Sequence, residues 1–119
     1  MKANKGMSEE AFSELIVNIK RLGKDVVIAH SNDVDAKARF PTESFDSLKK
    51  LSLLSCYVPE EYGGMGMDFK SSMIITEGVG GGHSFAVSFT AHTGIATLPI
   101  LYYGNEEQKK KYIPGLASG

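Results

Sequence analysis

The sequence predicts an all-α fold, a helical bundle of five or six helices forming one domain over residues 1–119, and three observations predict it. Apolar residues recur with the helical period in each long segment. Proline and glycine clusters cut those segments apart. The single apolar run that could be a strand, residues 53–58, has no second such run to pair with and reads as a buried helix end and connector. A chain of 119 residues with 42% hydrophobic content suffices for one core.

The first helix starts at Ser8, a good N-cap, with Glu9 and Glu10 in the turn where the helix dipole favours negative charge. Its apolar positions are Phe12, Leu15, Ile16, Ile19, Leu22, Val26 and Ala29, and Gly23 weakens its middle without ending it. Residues 30–39 are polar, and Phe40-Pro41-Thr42 punctuates them before a second helix buried through Phe45, Leu48 and Leu51. Gly63, Gly64 and Gly66 make a loop, after which Asp68 caps a third helix with apolar positions Phe69, Met73, Ile74 and Val79. Gly80, Gly81 and Gly82 stop it. Ser84 is placed to cap a fourth helix running toward Ile95, and Pro99 and Gly104 bracket a further apolar piece. Asn105 with Gln108 forms a capping box for a last short helix ending near Pro114.

Thirteen basic against fourteen acidic residues give a net charge of -1, too little attraction for nucleic acid or an anionic membrane. The lone Cys56 cannot form an internal disulfide, which fits a reducing, cytoplasmic setting, and no Cys and His cluster has metal-ligand spacing. Residues 1–7 are followed at once by Ser8, Glu9 and Glu10, so they do not read as a signal peptide. No apolar run approaches the roughly 20 residues that cross a bilayer, so no transmembrane segment is predicted.

The glycine clusters invite a phosphate-loop reading, but Phe69 and His83 stand where G-x-G-x-x-G needs its third glycine, and no strand precedes either loop. Turns and helix stops explain them better. Residues 84–99 are unusual: Val87, Ser88, Ala91 and Ile95 share one helix face, are small or apolar, and have Gly94 beside them. Such a face suits either close helix packing or a groove for a slender apolar ligand, and periodicity alone leaves both open.

The stretch Val58-Pro59-Glu60-Glu61-Tyr62-Gly63-Gly64-Met65-Gly66-Met67-Asp68 resembles the V-P-E-E-Y-G-G-x-G-x-D signature of the acyl-CoA dehydrogenase family. The ending, from Pro99-Ile100 through Gly104, Gln108-Lys109, Tyr112 and Pro114 to Leu116-Ala117-Ser118-Gly119, resembles that family's P-I-x-x-x-G-x-x-x-Q-K-x-x-Y-L-P-x-L-A-x-G. Arg39-Phe40-Pro41 matches a weaker third block, whereas the first 32 residues match only in being helical.

The resemblance implies an N-terminal helical domain followed in the family by a β domain and a four-helix domain, assembled as homo-oligomers around FAD. The implied reaction is α,β-dehydrogenation of an acyl-CoA thioester: a carboxylate takes the α-proton, hydride passes to the flavin, and an electron-transferring flavoprotein reoxidises it. In the family the flavin-contacting motifs follow L-A-x-G and the catalytic Glu lies further on. The sequence is therefore expected to stop, at Gly119, before all of them, to carry no catalytic residue and to be inactive alone.

Carried over by position, the acyl-pocket residues are Val87, Ser88, Ala91 and Ile95, with His92 beside them. Medium-chain members have larger polar residues where Val87 and Ala91 stand, which implies a deeper apolar floor here and longer acyl chains. One departure stands out: Gly78-Val79-Gly80-Gly81-Gly82 replaces an E-E-L-A-R-like helix end. Acyl-CoA oxidases, nitroalkane oxidases and flavin monooxygenases share the same helical domain, and a stand-alone helical interaction module is the reading from another class. Faces left open by the fragment predict self-association.

Overall fold

A computed structural model describes residues 7–119; the reading of the first six residues lies outside it. Helix α1 (Glu9–Leu22) starts as expected, the Ser8 side chain accepting the Ala11 N–H at 3.1 Å. It does not stop at Gly23. A wide π-type turn, Gly23–Ile28, carries it into α2 (Ala29–Lys37), which ends on Ala38 in the left-handed region, φ 48°. The polar stretch after His30, to which the sequence reading assigned no helix, is thus mostly helix: its charges face solvent while Ser31 and Val34 are buried.

The cause of the continuation lies across the domain. A Cβ on Gly23 would stand 1.8 Å from the Gly78 carbonyl oxygen, and one on Gly78 would stand 2.2 Å from Ile19 Cγ2. Helix α1 and α4 (Phe69–Val79) therefore touch backbone to backbone, and the glycine at 78 that departs from the family pattern is a packing residue.

Between them, α3 (Thr42–Lys50) buries Ser44, Phe45 and Leu48, and Leu51 is exposed at its end instead of buried. Residues 53–58 form the expected turned connector: Leu53, Leu54, Cys56 and Val58 are buried, and no strand occurs among the described residues. A 3-10 turn, Glu60–Tyr62, leads through Gly63 (φ 87°) to Asp68, whose Oδ1 accepts the Ser71 N–H at 2.9 Å and caps α4. Helix α4 buries Ser71, Ile75 and Val79, whereas Phe69 and Met73 are 57% and 60% exposed. The four-residue spacing through Ile75 and Val79 turns them outward to the rim of a groove.

The next helix is one rod, Ser84–Tyr103, made of α5 (Ser84–Thr90), a second wide turn (Ala91–Ala96) and α6 (Thr97–Tyr103). Ser84 is not its cap. His83 holds that position at φ 52° with no side-chain cap, and the Ser84 hydroxyl donates to the Asp35 carboxylate, tying the rod to α2. Because the helix runs on through Pro99, it reaches 20 residues and is long and apolar enough to cross a membrane by length and composition alone, which does not make it a span. It packs Phe85, Phe89, Thr93 and Thr97 into the domain and leaves Val87, Ile95, Tyr102 and Tyr103 exposed.

Helix α7 (Glu106–Ser118) opens with the expected capping box, Asn105 Oδ1 accepting the Gln108 N–H at 2.8 Å and Gln108 Oε1 accepting the Asn105 N–H at 2.9 Å. It passes through Pro114 without stopping, since Lys110, whose carbonyl loses its partner, and Pro114 both lie on the exposed side.

Among the described residues five continuous helical runs thus build a slab of 41 × 34 × 19 Å, about two helix diameters thick. The main core gathers Ile19, Val27, Phe45, Leu48, Ile75, Val79, Phe85 and Phe89; a smaller one holds Val58, Tyr62, Ile113 and Ala117 under α6 and α7. In a body this thin, several helices have a second face free to meet something else.

Gly23→Ala is expected to lower stability by about 1–3 kcal/mol through overpacking. Gly115→Ala, where an added Cβ meets nothing within 4 Å, is expected to be neutral or to raise stability by up to about 1 kcal/mol. Urea denaturation of both variants measures the difference.

Candidate functional site

The rod Ser84–Tyr103 organises the site, because its two sides meet different surroundings. On the inner side Phe85, Phe89, Thr93 and Thr97 recur every four residues and are all buried. A regular α-helix would let such a stripe drift by about 40° per step. The wide turn takes up one extra residue and keeps it straight.

On the outer side the same spacing produces an open apolar stripe: Val87 is 69% and Ile95 76% exposed, with half-buried Ala91 between them. Ser88 and His92 form a neighbouring row, both half-buried. Ser88 turns its hydroxyl back to the Ser84 carbonyl at 3.2 Å, leaving a neutral surface. His92 Nε2 lies 2.8 Å from the Leu116 carbonyl, which places the proton on Nε2, and its ring meets the edge of Phe45 at 6.2 Å.

Beside this row, Phe40, Phe45, Asp46, Lys49, Ser88, His92 and Gly119 line a shallow pocket of about 260 Å³. Phe40 stacks on Phe45 with centroids 5.1 Å apart and remains largely exposed. Of the five residues expected from sequence, Ser88 and His92 line this pocket with Phe40 and Phe45, while Val87, Ala91 and Ile95 lie outside its lining.

Phe40 is held by charge. Arg39 donates from Nε to Asp33 at 2.8 Å and from both terminal nitrogens to Glu43 at 2.9 Å, and Lys37 pairs with Asp33 at 2.6 Å. Lys37 and Arg39 hold the Asp33 carboxyl below the usual carboxylate range, Arg39 does the same to Glu43, and both carboxylates keep the guanidinium charged. This forked cluster fixes the turn from α2 into α3, and with it the Arg39-Phe40-Pro41 block.

A second concavity was not read from sequence. A groove of about 350 Å³ lies between α4 and the other flank of the rod, lined by Tyr57, Phe69, Met73, Phe89, Thr90, Thr93, Gly94, Leu98 and neighbours. Its signal was present in the four-residue spacings Phe69 to Met73 and Thr90 to Gly94 to Leu98. Burial pushes the Tyr57 hydroxyl up to about 12, against the effect of the adjacent Thr93. Thr93 directs its own proton to the Phe89 carbonyl at 2.8 Å. Cys56, at the same groove, has its thiol pushed up to about 12 chiefly by burial, with Sγ 3.7 Å from Met67 Sδ.

Neither glycine loop forms a phosphate cradle. A Cβ on Gly64 would stand 1.9 Å from the Val58 carbonyl oxygen and one on Gly82 would stand 2.3 Å from Val27 Cγ1, so both glycines serve close internal packing. Among the described residues no group of three or more His, Cys, Asp or Glu is placed to hold a metal ion.

Residues 9–119 match the family described as acyl-CoA dehydrogenase, N-terminal domain. The chain belongs to this family. It is 51% identical over 96 residues to a Bacillus subtilis (strain 168) protein named "Probable acyl-CoA dehydrogenase", a span of 78% of this chain and 16% of that protein. It is 35% identical over 109 residues to "Probable acyl-CoA dehydrogenase fadE25" of Mycobacterium leprae, a span of 92% of this chain and 28% of that protein. Among solved structures it resembles an acyl-CoA dehydrogenase of Bacillus anthracis complexed with FAD, with a TM-score of 0.83 and 35% identity over 95% of this chain and 20% of that one. The chain therefore spans between 16% and 28% of the length of these relatives. As an acyl-CoA dehydrogenase N-terminal domain it has the all-α fold the sequence predicts, and its two signature blocks lie at the 58–68 loop and in α6 and α7.

Two outcomes test this description. Cys56 is expected to resist thiol reagents at neutral pH in the folded protein and to react on unfolding, as a timed alkylation assay would show. The Ser71 N–H, followed by the Ser71 hydroxyl, lowers the Asp68 carboxyl below its ordinary value. The cap therefore stabilises fully above that ordinary value, about pH 4, and its contribution fades as pH falls toward the lowered one. Asp68→Asn is expected to reduce the acid-side loss in a series of urea titrations from pH 7 to pH 3, and Asp68→Ala to cost about 1 kcal/mol at pH 7.

Proposed function

We propose that this domain forms one wall and the floor of the acyl pocket in an FAD-dependent acyl-CoA dehydrogenase. One observation supports the reading: Val87 and Ile95 are exposed and Ala91 half-buried at four-residue spacing on an uncharged stretch of one helix, with Ser88 and His92 next to them in a pocket that Phe40 also lines. A surface of that shape needs a cover to leave water, and a slender hydrocarbon chain held against it by another domain supplies one. The floor is shallowly filled at Ala91, which favours longer acyl chains; each buried methylene contributes about 0.8 kcal/mol.

The described residues do not themselves fit FAD. Gly64 and Gly82 of the two glycine loops are occupied by internal contacts, and among the described residues no helix N-terminus follows a strand to present backbone N–H groups to a pyrophosphate. The reading accordingly places the flavin-holding and proton-abstracting groups outside residues 7–119 and assigns this chain binding, orientation and exclusion of water. The exposed apolar faces also suit a homo-oligomer, and an electron-transferring flavoprotein is the proposed redox partner.

Two experiments test the proposal. The full-length protein carrying this domain is expected to purify with flavin absorbance; a colourless, folded full-length protein would contradict it. In that protein Ala91→Glu should reduce kcat/KM for long acyl-CoAs relative to short ones by roughly tenfold or more, as expected for losing the contacts of two methylenes. An unchanged chain-length profile would count against the acyl wall.

A further inference from the structure

The wide turn Ala91–Ala96 has two local causes, and both lie outside the open stripe. Pro99 has no N–H, and in a regular α-turn its ring would press on the Ile95 carbonyl. Thr97 is fully buried and donates its hydroxyl to the His92 carbonyl at 2.7 Å, five residues back. Thr93, one turn earlier, makes the ordinary four-residue bond to Phe89 at 2.8 Å. The side chain of Thr97 therefore satisfies a carbonyl within the widened turn, while Pro99 disfavours a return to α pitch.

The consequence is rotational. In a uniform α-helix Ile95 would sit about 80° around the axis from Val87. Here Val87 and Ile95 are both exposed while Phe85, Phe89, Thr93 and Thr97 are all buried, and the widened turn Ala91–Ala96 winds less per residue, which brings Ile95 back toward the Val87 side. We propose that Thr97 and Pro99 are specificity-determining positioning residues. By holding the wide turn they keep Ile95 in line with Val87 and Ala91, so that an apolar chain can lie along the helix for roughly 12 Å, the rise of the eight steps from Val87 to Ile95. This rests on the acyl-wall reading above. Neither residue touches the chain; both act through where they place Ile95.

The test uses the full-length enzyme and a series of saturated acyl-CoAs of increasing length. Thr97→Val keeps the volume and removes the donor; Pro99→Ala restores an N–H and removes the ring. Each is expected to lower kcat/KM for the longest substrates by about fourfold for every methylene that leaves the stripe, through KM and with kcat on short substrates unchanged. Thr97→Ser is expected to restore the wild-type profile. If Thr97→Val does not fold, Pro99→Ala decides. A wild-type profile in Pro99→Ala and in folded Thr97→Val, alongside a shifted profile in Ala91→Glu, overturns the inference alone. An unshifted Ala91→Glu overturns the acyl-wall reading and this inference with it.

Discussion

The domain depends on one helix keeping the same side buried from Phe85 to Thr97. A rod of 3.6 residues per turn cannot do this with anchors every four residues, yet Phe85, Phe89, Thr93 and Thr97 are such anchors and all are buried. The widened turn at Ala91–Ala96 reconciles the two periods. Because the inner stripe stays straight, the outer one does too, and the packing requirement on one side of the rod shapes the apolar strip on the other. Structure and proposed function share that single geometric cause.

The remaining elements hold the rod in place. Backbone contact at Gly23 and Gly78 brings α1 against α4, and α4 with the connector at residues 53–58 supplies the large side chains on which Phe85 and Phe89 rest. At the outer edge, Arg39 clamps Asp33 and Glu43 and so presents Phe40 over Phe45, whose ring also meets Phe85 and His92. His92 in turn reaches the Leu116 carbonyl and ties α7 to the same surface. In a slab only 19 Å thick, such ties must replace the deep burial that a larger domain would have.

Much of this was legible in the residues. The helix starts at Ser8, Asp68 and Asn105 follow from side chains that accept backbone N–H groups, and these caps form where the sequence places them. Local chemistry misled where long-range contacts govern. The polar run after His30 is helical because its exposed face needs no apolar period. Phe69 and Met73 are apolar yet outward-facing, since Ile75 and Val79 already fill the inner face of α4. Pro114 and Pro99 suggest endings, but neither stops its helix: one faces solvent and the other lies just beyond a turn wide enough to pass it. The face carrying Val87, Ala91 and Ile95 was visible as a pattern of small and apolar residues. Its straightness was not, because a widened turn has no signature in periodicity.

A structure of the full-length protein with a long-chain acyl-CoA or an unreactive thioether analogue bound would bear most directly on this account. The hydrocarbon is expected to run along the rod in van der Waals contact with Val87, Ala91 and Ile95. A chain seated instead in the groove between Phe69, Met73 and Leu98, or one that does not touch the rod, would contradict it.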